Sequence, residues 1–385
     1  MIKELFYDLT AIQPNDSGKR HGGGKYGEIV FLRMVESGIR PVCFYRSSLW
    51  LNPDIAQVIR KQGLRLIDLD STSLEEMINQ NDIEILYSCL PTQEMLQLQG
   101  CKIKGTIHGL RGIETPHDSI FWRYRNISLR RRIYFVLEKW LAMIGCRYRQ
   151  SNKFYMTVCG NPNVRFAMVS NHSATSLICY YPQFKGREIP VFYSPSTSSK
   201  QRIDRKIYED KYFLMVSGNR WEKNCLRAIE ALDRLFSENL LNGYRCKITG
   251  VNNAHLYRYK LKNPDHFDFL GYVPEPQLEQ LYHDAFCFIY PSLNEGFGYP
   301  PLEAMRYGVP VLASPYSSIP EICQRAALYF NPTSVEEIMN RILLVTTQPE
   351  LYAHLQKLSY DQYALITTRQ ERDLEGLIKW IVTED

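Results

Sequence analysis

The sequence has few of the features that mark secreted, metal-binding or membrane-spanning proteins. Its ten cysteines lie between Cys43 and Cys323 without a Cys-x-x-Cys pair or a Cys/His cluster at zinc spacing. The first residues lack the basic region, long apolar stretch and small-residue cleavage site of a secretory signal. Charged residues interrupt every apolar run before the roughly 18 residues that a spanning helix needs. These absences predict a cytoplasmic protein with buried, reduced thiols.

The composition is that of an ordinary folded protein and suits two domains. Hydrophobic residues make up 45% and charged residues 23% of the 385 positions, which excludes a disordered or fibrous chain. A chain of this length exceeds what one hydrophobic core normally supports, so we expect two domains of roughly 150 to 200 residues each. The net charge of +5 is modest and no nucleic-acid-binding module is visible, so we expect no nucleic-acid partner.

Both halves of the chain alternate short apolar runs with amphipathic stretches, a pattern typical of βαβ units and a parallel sheet. The strands predicted in the first half are 5–9, 42–45, 83–88, 103–107 and 166–169, with a helix near 26–36. Those predicted in the second half are 212–217, 246–249, 286–290 and 311–313, with helices at 225–236 and 275–282. We therefore predict an α/β fold of two Rossmann-like, doubly wound domains that face each other across a cleft, with ligands at the carboxyl ends of the strands.

The domain boundary is predicted at a small, polar, proline-containing segment, residues 194–201, that reads as a linker. We expect an N-terminal acceptor domain over residues 1–195 and a C-terminal donor domain over residues 205–365. A C-terminal helix, residues 366–385, is expected to return to the N-terminal domain.

The most informative segment runs from residue 286 to residue 311. A buried strand ends at Pro291-Ser292, a loop with Gly296 and Gly298 follows, and Pro300-Pro301 open a helix that Gly308 closes. Backbone N–H groups at such a helix start, beside glycines that permit close approach, favour binding of a phosphate.

Two glutamates of this segment lie eight positions apart. Glu295 is in the loop, and Glu303 is expected in the first turn of the helix. A carboxylate in a glycine-rich loop beside an anion site indicates a partner that donates hydroxyl groups, such as a sugar or a ribose.

This segment resembles the Glu-x7-Glu signature of glycosyltransferase family 4, whose members are retaining enzymes with the GT-B fold. The downstream Ser317-Ser-Ile-Pro-Glu321 is similar to the small-residue and Pro-Glu element of that family. The resemblance implies that Glu295 holds hydroxyls of the donor sugar and that Glu303 holds the ribose. The residues implied to contact sugar and diphosphate are Gly296, Phe297, Gly298, Tyr299 and Leu302.

A second element follows the strand at 212–217, where Gly218 and Asn219 lead into a loop that carries Arg220 and Lys223. Two cations there can neutralise the charge that grows on a departing diphosphate. The loop resembles the donor-phosphate loop of the family, which assigns Gly218 and Asn219 to donor binding and Arg220 and Lys223 to catalysis. Two exposed basic residues at a helix start are the structural alternative.

Three weaker resemblances complete the predicted site. Tyr272 and Val273 resemble the family's segment near the nucleobase, where main-chain groups usually recognise the base. Gly23 and Gly24 precede the first predicted helix and resemble the family's first glycine loop, near diphosphate and acceptor. His108 ends a predicted strand where the family often has a catalytic histidine on the acceptor side, although Gly109 replaces the aspartate that usually follows.

Together these resemblances imply a retaining transfer of a hexose-type sugar from a nucleoside-diphosphate sugar to a glycan or lipid-linked saccharide, in synthesis of a bacterial surface polysaccharide. The family usually dispenses with a bound metal, so neither metal nor other cofactor is expected. A catalytically silent sugar-nucleotide-binding subunit remains an alternative, as does an epimerase or phosphorylase of the same fold.

A basic segment from Phe121 to Lys153 predicts an anionic membrane surface as a further partner. It carries nine Lys and Arg residues against one acid, Glu138, and interleaves them with aromatic residues. Such a helix suits a lipid headgroup layer at the inner face of the plasma membrane. A core helix with a solvated basic face is the alternative.

Overall fold

The computed structural model describes residues 4–14, 22–115, 118, 120–124, 133, 154–155, 157–158, 160–196, 211–258 and 260–383. The chain divides into two compact units. The first comprises Met1–Leu110, Tyr148–Ser199 and Thr367–Asp385, and the second comprises Arg111–Arg147 and Lys200–Ile366. Of the basic segment 121–153, only residues 121–124 and 133 are described, so the predicted membrane surface lies largely outside the described residues.

The described residues between 111 and 124 group with the second unit, whereas the sequence predicted them within an N-terminal domain of residues 1–195. Contacts of the described residues account for this difference. The carboxylate of Asp118 pairs with Arg227 at 2.8 Å, and the hydroxyl of Tyr124 accepts a hydrogen bond of 3.3 Å from the backbone N–H of Leu226. The chain therefore leaves the first unit after Leu110 and is held against the second.

The first unit contains a six-stranded parallel sheet with strand order β3-β2-β1-β4-β5-β6. Its strands are β1 Glu4–Asp8, β2 Val42–Tyr45, β3 Leu66–Asp68, β4 Ile83–Ser88, β5 Lys102–Ile107 and β6 Val164–Met168. The helices whose bounds are described before β7 are α1 Gly22–Glu36, α2 Pro53–Gln62, α3 Leu74–Asn79, α4 Arg111–Glu114, α5 Phe121–Tyr124 and α6 Asn171–Tyr180, of which α4 and α5 belong to the second unit. The order reverses between β1 and β4, which is the switch point of a Rossmann-type sheet.

The second unit repeats this topology, with strand order β12-β11-β10-β7-β8-β9. Its strands are β7 Lys211–Met215, β8 Tyr244–Ile248, β9 Phe267–Phe269, β10 Cys287–Tyr290, β11 Val311–Ala313 and β12 Ala327–Tyr329. The helices from β7 onward are α7 Cys225–Ser237, α8 His255–Arg258, α9 Glu275–Asp284, α10 Tyr299–Arg306, α11 Ile319–Cys323, α12 Val335–Thr347 and α13 Pro349–Val382. Its switch point therefore lies between β7 and β10.

Local sequence explains why these elements begin and end where they do. All four residues of β10 are buried, as expected for an apolar strand of a parallel sheet covered on both faces. Helix α2 begins where the side chain of Asn52 accepts a hydrogen bond from the backbone N–H of Asp54. It ends at Gly63, whose φ of 60° is a left-handed conformation that glycine adopts without strain.

The long helix α13 spans both units, because the division falls between Ile366 and Thr367. Within the first unit its end is fixed by Lys104 of β5, whose ammonium donates to the carbonyl oxygens of Trp380 at 2.5 Å and Thr383 at 2.6 Å. Among the described residues, no helix is both long and apolar enough to cross a membrane.

Two expected placements were wrong in detail. Helix α1 begins at Gly22, so Gly23 and Gly24 lie in its first turn and not in a loop before it. Helix α10 begins at Tyr299, one residue before the two prolines, which places Glu303 in the second turn and not in the first.

Candidate active site

The two most informative predicted motifs meet at the switch point of the second unit. Strands β7 and β10 are hydrogen-bonded neighbours, and the chain leaves both at the same edge of the sheet because they are parallel. The loop after β7 carries Lys223 in a short 3-10 turn, Trp221–Lys223, directly before α7. The loop after β10 carries Glu295 directly before α10.

Lys223 and Glu295 form a buried ion pair at this point. The ammonium of Lys223 donates to Oε1 of Glu295 at 2.6 Å and to the hydroxyl of Tyr290 at 3.2 Å. The hydroxyl of Ser292 donates to the same carboxylate oxygen at 2.5 Å. Lys223 is 5% exposed and Glu295 is 6% exposed, which excludes two exposed basic residues as the explanation of the loop after β7.

Burial and charge act in opposite directions on the pKa of Glu295. Burial alone raises the pKa of this carboxyl, but the nearby charges of Lys223 and Arg111 outweigh it and leave the pKa below its usual value. Burial lowers the pKa of Lys223, and the carboxylate of Glu295 opposes that shift. Glu295 is therefore ionised at neutral pH and can accept hydrogen bonds from hydroxyl groups.

Two arginines and a second glutamate surround the buried pair. Arg220 binds Oε1 of Glu222 with two N–H groups, at 2.8 Å and 2.5 Å. Arg111 lies 3.6 Å from the same oxygen of Glu222 and 3.7 Å from Oε2 of Glu295. Burial raises the pKa of Glu222, but Arg220 and Arg111 together keep it below its usual value. Three cations and two carboxylates thus form one network of charges.

Serine side chains hold the backbone of the loop that carries Glu295. The backbone N–H of Glu295 donates to the hydroxyl of Ser317 at 2.7 Å. The hydroxyl of Ser318 lies 3.0 Å from the carbonyl oxygen of Glu295 and 2.7 Å from that of Phe297. The small-residue element at 317–321 therefore fixes the carboxylate by holding its backbone on both sides.

The loop after β7 depends on two residues that tolerate unusual backbone geometry or close packing. Asn224 has a left-handed φ of 56°, and its side-chain amide donates to the carbonyl oxygens of Pro291 at 3.1 Å and Pro332 at 2.7 Å. Gly218 has no room for a side chain, because an added Cβ would lie 2.5 Å from Cγ2 of Val251. Both residues serve to place Lys223.

The helix start after Glu295 offers fewer N–H donors than its sequence suggested. Gly298, at φ 116°, is the N-cap of α10, and the first three helical residues are Tyr299, Pro300 and Pro301. Because proline has no N–H, an anion at this helix start can receive donors from Gly298 and Tyr299 but not from the two residues that follow.

The remaining predicted donor residues are spread along the same edge of the second unit. Glu303 lies beside the buried hydroxyl of Tyr282, whose pKa is raised by burial and then by the charge of Glu303. Tyr272 is 62% exposed. The others differ in burial: Phe297 and Leu302 are buried, Tyr299, Gly296 and Val273 are half-buried, and Asn219 is exposed.

The predicted residues of the first unit lie at its own switch point and on the neighbouring strand. Gly23 is packed against Leu90, because a Cβ there would lie 2.9 Å from that side chain. His108 follows β5, and its Nε2 lies 2.9 Å from the carbonyl oxygen of Cys89, so this nitrogen carries a proton. The imidazole stands edge-on to the ring of Tyr26 at 4.7 Å.

The described carboxylates of the first unit include one pair that could be considered for a metal ion, Asp68 and Asp70. In the segment Asp68-Leu69-Asp70, the two carboxylates accept hydrogen bonds from the backbone N–H groups of Ser47 and Ser48, at 3.0 Å and 2.7 Å. Across the described parts of both units, no group of three or more His, Cys, Asp or Glu side chains is arranged to hold a metal ion.

Sequence reasoning missed four residues that contact the buried pair or its neighbours: Arg111, Glu222, Tyr290 and Ser292. Ser292 and Tyr290 could have been found, because they precede Glu295 at the end of the same predicted strand. Arg111 gave no such signal. Its contact with Glu295 joins residues 184 positions apart in the chain, and no local pattern reports a contact of that kind.

Comparisons with known proteins find similarity to glycosyltransferases. Residues 197–362 match the family described as glycosyl transferases group 1. The chain is 49% identical over 75 residues to O-antigen chain mannosyltransferase B from Escherichia coli, a stretch that makes up 20% of each protein. It is 28% identical over 164 residues to O-antigen chain mannosyltransferase RfbU from Salmonella typhimurium, which covers 42% of this chain and 46% of that protein. The chain thus matches these curated relatives over less than half of their length.

The fold is similar to that of HepE from Anabaena, solved in complex with UDP, with a TM-score of 0.65 and 14% identity over 98% of this chain and 100% of that one. The molecule is therefore an α/β protein of the two-domain GT-B class. The buried Lys223–Glu295 pair lies within the stretch 197–362 that matches the glycosyl transferases group 1 model.

Proposed function

We propose that this protein is a retaining glycosyltransferase that moves a hexose from a nucleoside-diphosphate sugar to a glycan or lipid-linked saccharide. The two relatives described above are named as O-antigen chain mannosyltransferases. Their names favour mannose as the transferred sugar and a bacterial surface polysaccharide as the product. The complex of HepE with UDP supports a nucleoside diphosphate as the leaving group.

The observation that carries this proposal is the buried ion pair at the switch point. Removing two charges from water costs several kcal/mol per ion, and apolar side chains would pack there at less cost. The pair lies where ligands of doubly wound sheets bind, beside a helix start with a left-handed glycine. We infer that the buried pair serves the reaction at this site and not the stability of the fold.

The arrangement suits a reaction in which negative charge grows on a phosphate. When the bond between the anomeric carbon and the diphosphate breaks, its electron pair passes to the diphosphate oxygen. That leaving group is already a weak base, so the reaction needs fixed positive charge more than a general acid. Arg220 and Lys223, together with the N–H groups of Gly298 and Tyr299, would supply that charge without a metal ion.

The two glutamates take binding roles in this proposal. Glu295 is held ionised and would accept hydrogen bonds from the hydroxyls of the donor sugar. Glu303 would bind the ribose of the nucleotide. Neither glutamate needs to act as an acid or base on the scissile bond, as the carboxylate pair of a glycosidase does.

We extend the proposal to the first unit by resemblance. His108 would contact the donor sugar from the acceptor side, with its ring held by the carbonyl oxygen of Cys89. Gly23 and Gly24, in the first turn of α1, would approach the diphosphate and the acceptor. Tyr272 and Val273 of the second unit would lie near the nucleobase.

Donor binding followed by turnover tests this function against its alternatives. The melting temperature would be measured with GDP-mannose, UDP-glucose and dTDP-glucose, since a ligand at 100 times its dissociation constant stabilises a protein by about 2.7 kcal/mol. The stabilising donor would then be supplied radiolabelled, with a membrane extract as acceptor. We expect label in extracted glycan. Stabilisation without turnover would identify a silent binding subunit, and a new sugar nucleotide without any acceptor product would identify an epimerase.

A further inference from the structure

Arg111 begins α4, at the point where the chain leaves the first unit, and described neighbours on its C-terminal side are fixed to the second unit. The side-chain amide of Asn294 donates to the carboxylate of Glu114 at 2.9 Å. Asp118 is paired with Arg227, as described above, and the ring of Phe121 packs edge-on against Trp221 at 5.2 Å. These contacts surround the loops that carry Lys223 and Glu295, so they hold Arg111 at the same site.

The guanidinium of Arg111 is held near two carboxylates without a close hydrogen bond. Its distances to Glu222 and Glu295 are 3.6 Å and 3.7 Å, beyond normal hydrogen-bond length. Within the described part of the chain, its side chain makes no shorter polar contact, and it is 44% exposed. A guanidinium carries five N–H donors in a planar fork that matches phosphate oxygens.

The other two cations of the site are already engaged. Arg220 donates hydrogen bonds from two N–H groups to Glu222, and Lys223 is buried against Glu295 and Tyr290. Of the three cations, Arg111 has the most N–H donors available to an incoming anion. It would lose only its two longer contacts, with Glu222 and Glu295.

We propose that Arg111 is a binding residue for the diphosphate of the donor and exchanges its partners when the donor binds. This inference rests on the proposed function. Its guanidinium leaves the carboxylate of Glu295 and donates to phosphate oxygens, and Glu295 turns from that cation to the hydroxyls of the sugar. Before the donor binds, Arg111 thus helps to keep Glu295 ionised. Once the donor is bound, Arg111 stabilises the diphosphate leaving group.

The test compares ligands with and without the diphosphate. Binding of GDP and UDP would be measured by calorimetry, and binding of guanosine and uridine by saturation-transfer NMR, for the wild type, Arg111→Ala and Arg111→Lys. Arg245→Ala is the matched control, because Arg245 has a similar exposure of 47% and an acidic partner, Asp268, but lies at the other end of β8. We expect Arg111→Ala to weaken binding of the nucleoside diphosphate roughly ten- to hundredfold and to leave nucleoside binding unchanged.

Arg111→Lys should show a smaller loss, again confined to the diphosphate, and it replaces the alanine variant if that variant does not fold. Equal or tighter binding of the diphosphate to Arg111→Ala would overturn the inference, because Arg111 would then only compete for Glu295. An equal loss for nucleoside and diphosphate would also overturn it, since that result indicates a structural role. If GDP, UDP and, measured in the same way, dTDP all failed to bind the wild type, the proposed function would fail together with the inference.

Discussion

At Glu295, a costly burial is offset by two cations that the chain supplies from separate segments. Burial favours the protonated carboxyl, whereas Lys223 and Arg111 favour the carboxylate, and the second effect is larger. The side chain is therefore charged while almost completely removed from water. That state suits an acceptor of sugar hydroxyls and makes Glu295 sensitive to the loss of either cation.

This balance predicts how stability depends on pH. Because the folded pKa of Glu295 lies below the unfolded value of about 4.3, its stabilising contribution is full above that pH and is lost as the pH falls through the folded pKa. The variant Glu295→Gln does not titrate at this position. We expect the free energy of unfolding of the wild type to exceed that of Glu295→Gln at pH 7, with a difference that shrinks below about pH 4.3.

Urea denaturation at a series of pH values measures this difference. Glu238→Gln, at an exposed glutamate after the end of α7, controls for removal of a surface charge. A gap between wild type and Glu295→Gln that stays constant or widens toward acid would show that the pKa of Glu295 is not lowered.

At this scale the sequence predicted candidate site residues but not their state. The spacing of Glu295 and Lys223 within their motifs was enough to select them. Their pairing was not predicted, because it depends on β7 and β10 lying side by side in a sheet whose order reverses there. For the same reason the sequence predicted Lys223 as a catalytic cation but did not predict its burial.

Among the elements, the long helix α13 depends on one buried lysine. Lys104 is fully buried in β5, and its ammonium satisfies two carbonyl oxygens at the end of the helix, where the helix dipole also favours a cation. Earlier in the helix, Asp373 accepts a hydrogen bond of 3.1 Å from the backbone N–H of Tyr193. The part of α13 after Ile366 is thus held within the first unit by polar contacts.

Lys104→Met should loosen this end of the helix. The substitution keeps most of the side-chain volume but removes a charged donor from two carbonyl oxygens, at a cost of about 2 kcal/mol. We expect amide hydrogen exchange of residues 367–383 to become roughly thirtyfold faster, with little change in α7. Lys379→Met, at an exposed position of the same helix, is the control. Unchanged exchange in Lys104→Met would show that packing alone holds the helix.

Most strands could be predicted from sequence, but three short strands at the sheet edges could not. The strands at 42–45, 83–88 and 311–313 have the bounds that their apolar runs predicted. Strands β3, β9 and β12 were missed, because each is only three residues long and lies at or near a sheet edge. Such strands have too few apolar positions to form a pattern, and their pairing with a neighbouring strand defines them.

On the scale of the whole molecule, two sheets of the same strand order confirm the predicted α/β architecture. The resemblance to glycosyltransferase family 4 implies that the product keeps the anomeric configuration of the donor and that transfer needs no metal ion. Both remain predictions. We expect the reaction to proceed in EDTA and the product linkage to keep the configuration of the donor. Protein cations and backbone dipoles would stabilise the negative charge on the departing diphosphate without a metal ion. Proton NMR of the product decides this. An inverted linkage, or a reaction that stops in EDTA, would contradict it.

The basic segment from Phe121 to Lys153 predicts that the protein works at an anionic membrane on a lipid-linked acceptor. Each cation near such a surface contributes about 1 kcal/mol, and the attraction falls with salt. We expect co-sedimentation with anionic but not neutral liposomes, and weaker binding after Arg130, Arg131 and Arg132 are changed to Ser. Equal recovery in the supernatant with both lipids would leave the segment as a solvated helix face.

The most direct test of the account is the transfer rate of variants at the buried pair. Lys223→Met and Glu295→Gln should each lower sugar transfer by roughly ten- to hundredfold or more, because each removes a charge-assisted contact that acts on the reacting donor. Glu303→Gln should mainly weaken donor binding, and Arg245→Ala should transfer at the wild-type rate. The measurement is incorporation of labelled sugar into glycan by folded protein, at saturating donor. If Glu295→Gln kept more than half of the wild-type rate, the assignment of this site to glycosyl transfer would be wrong.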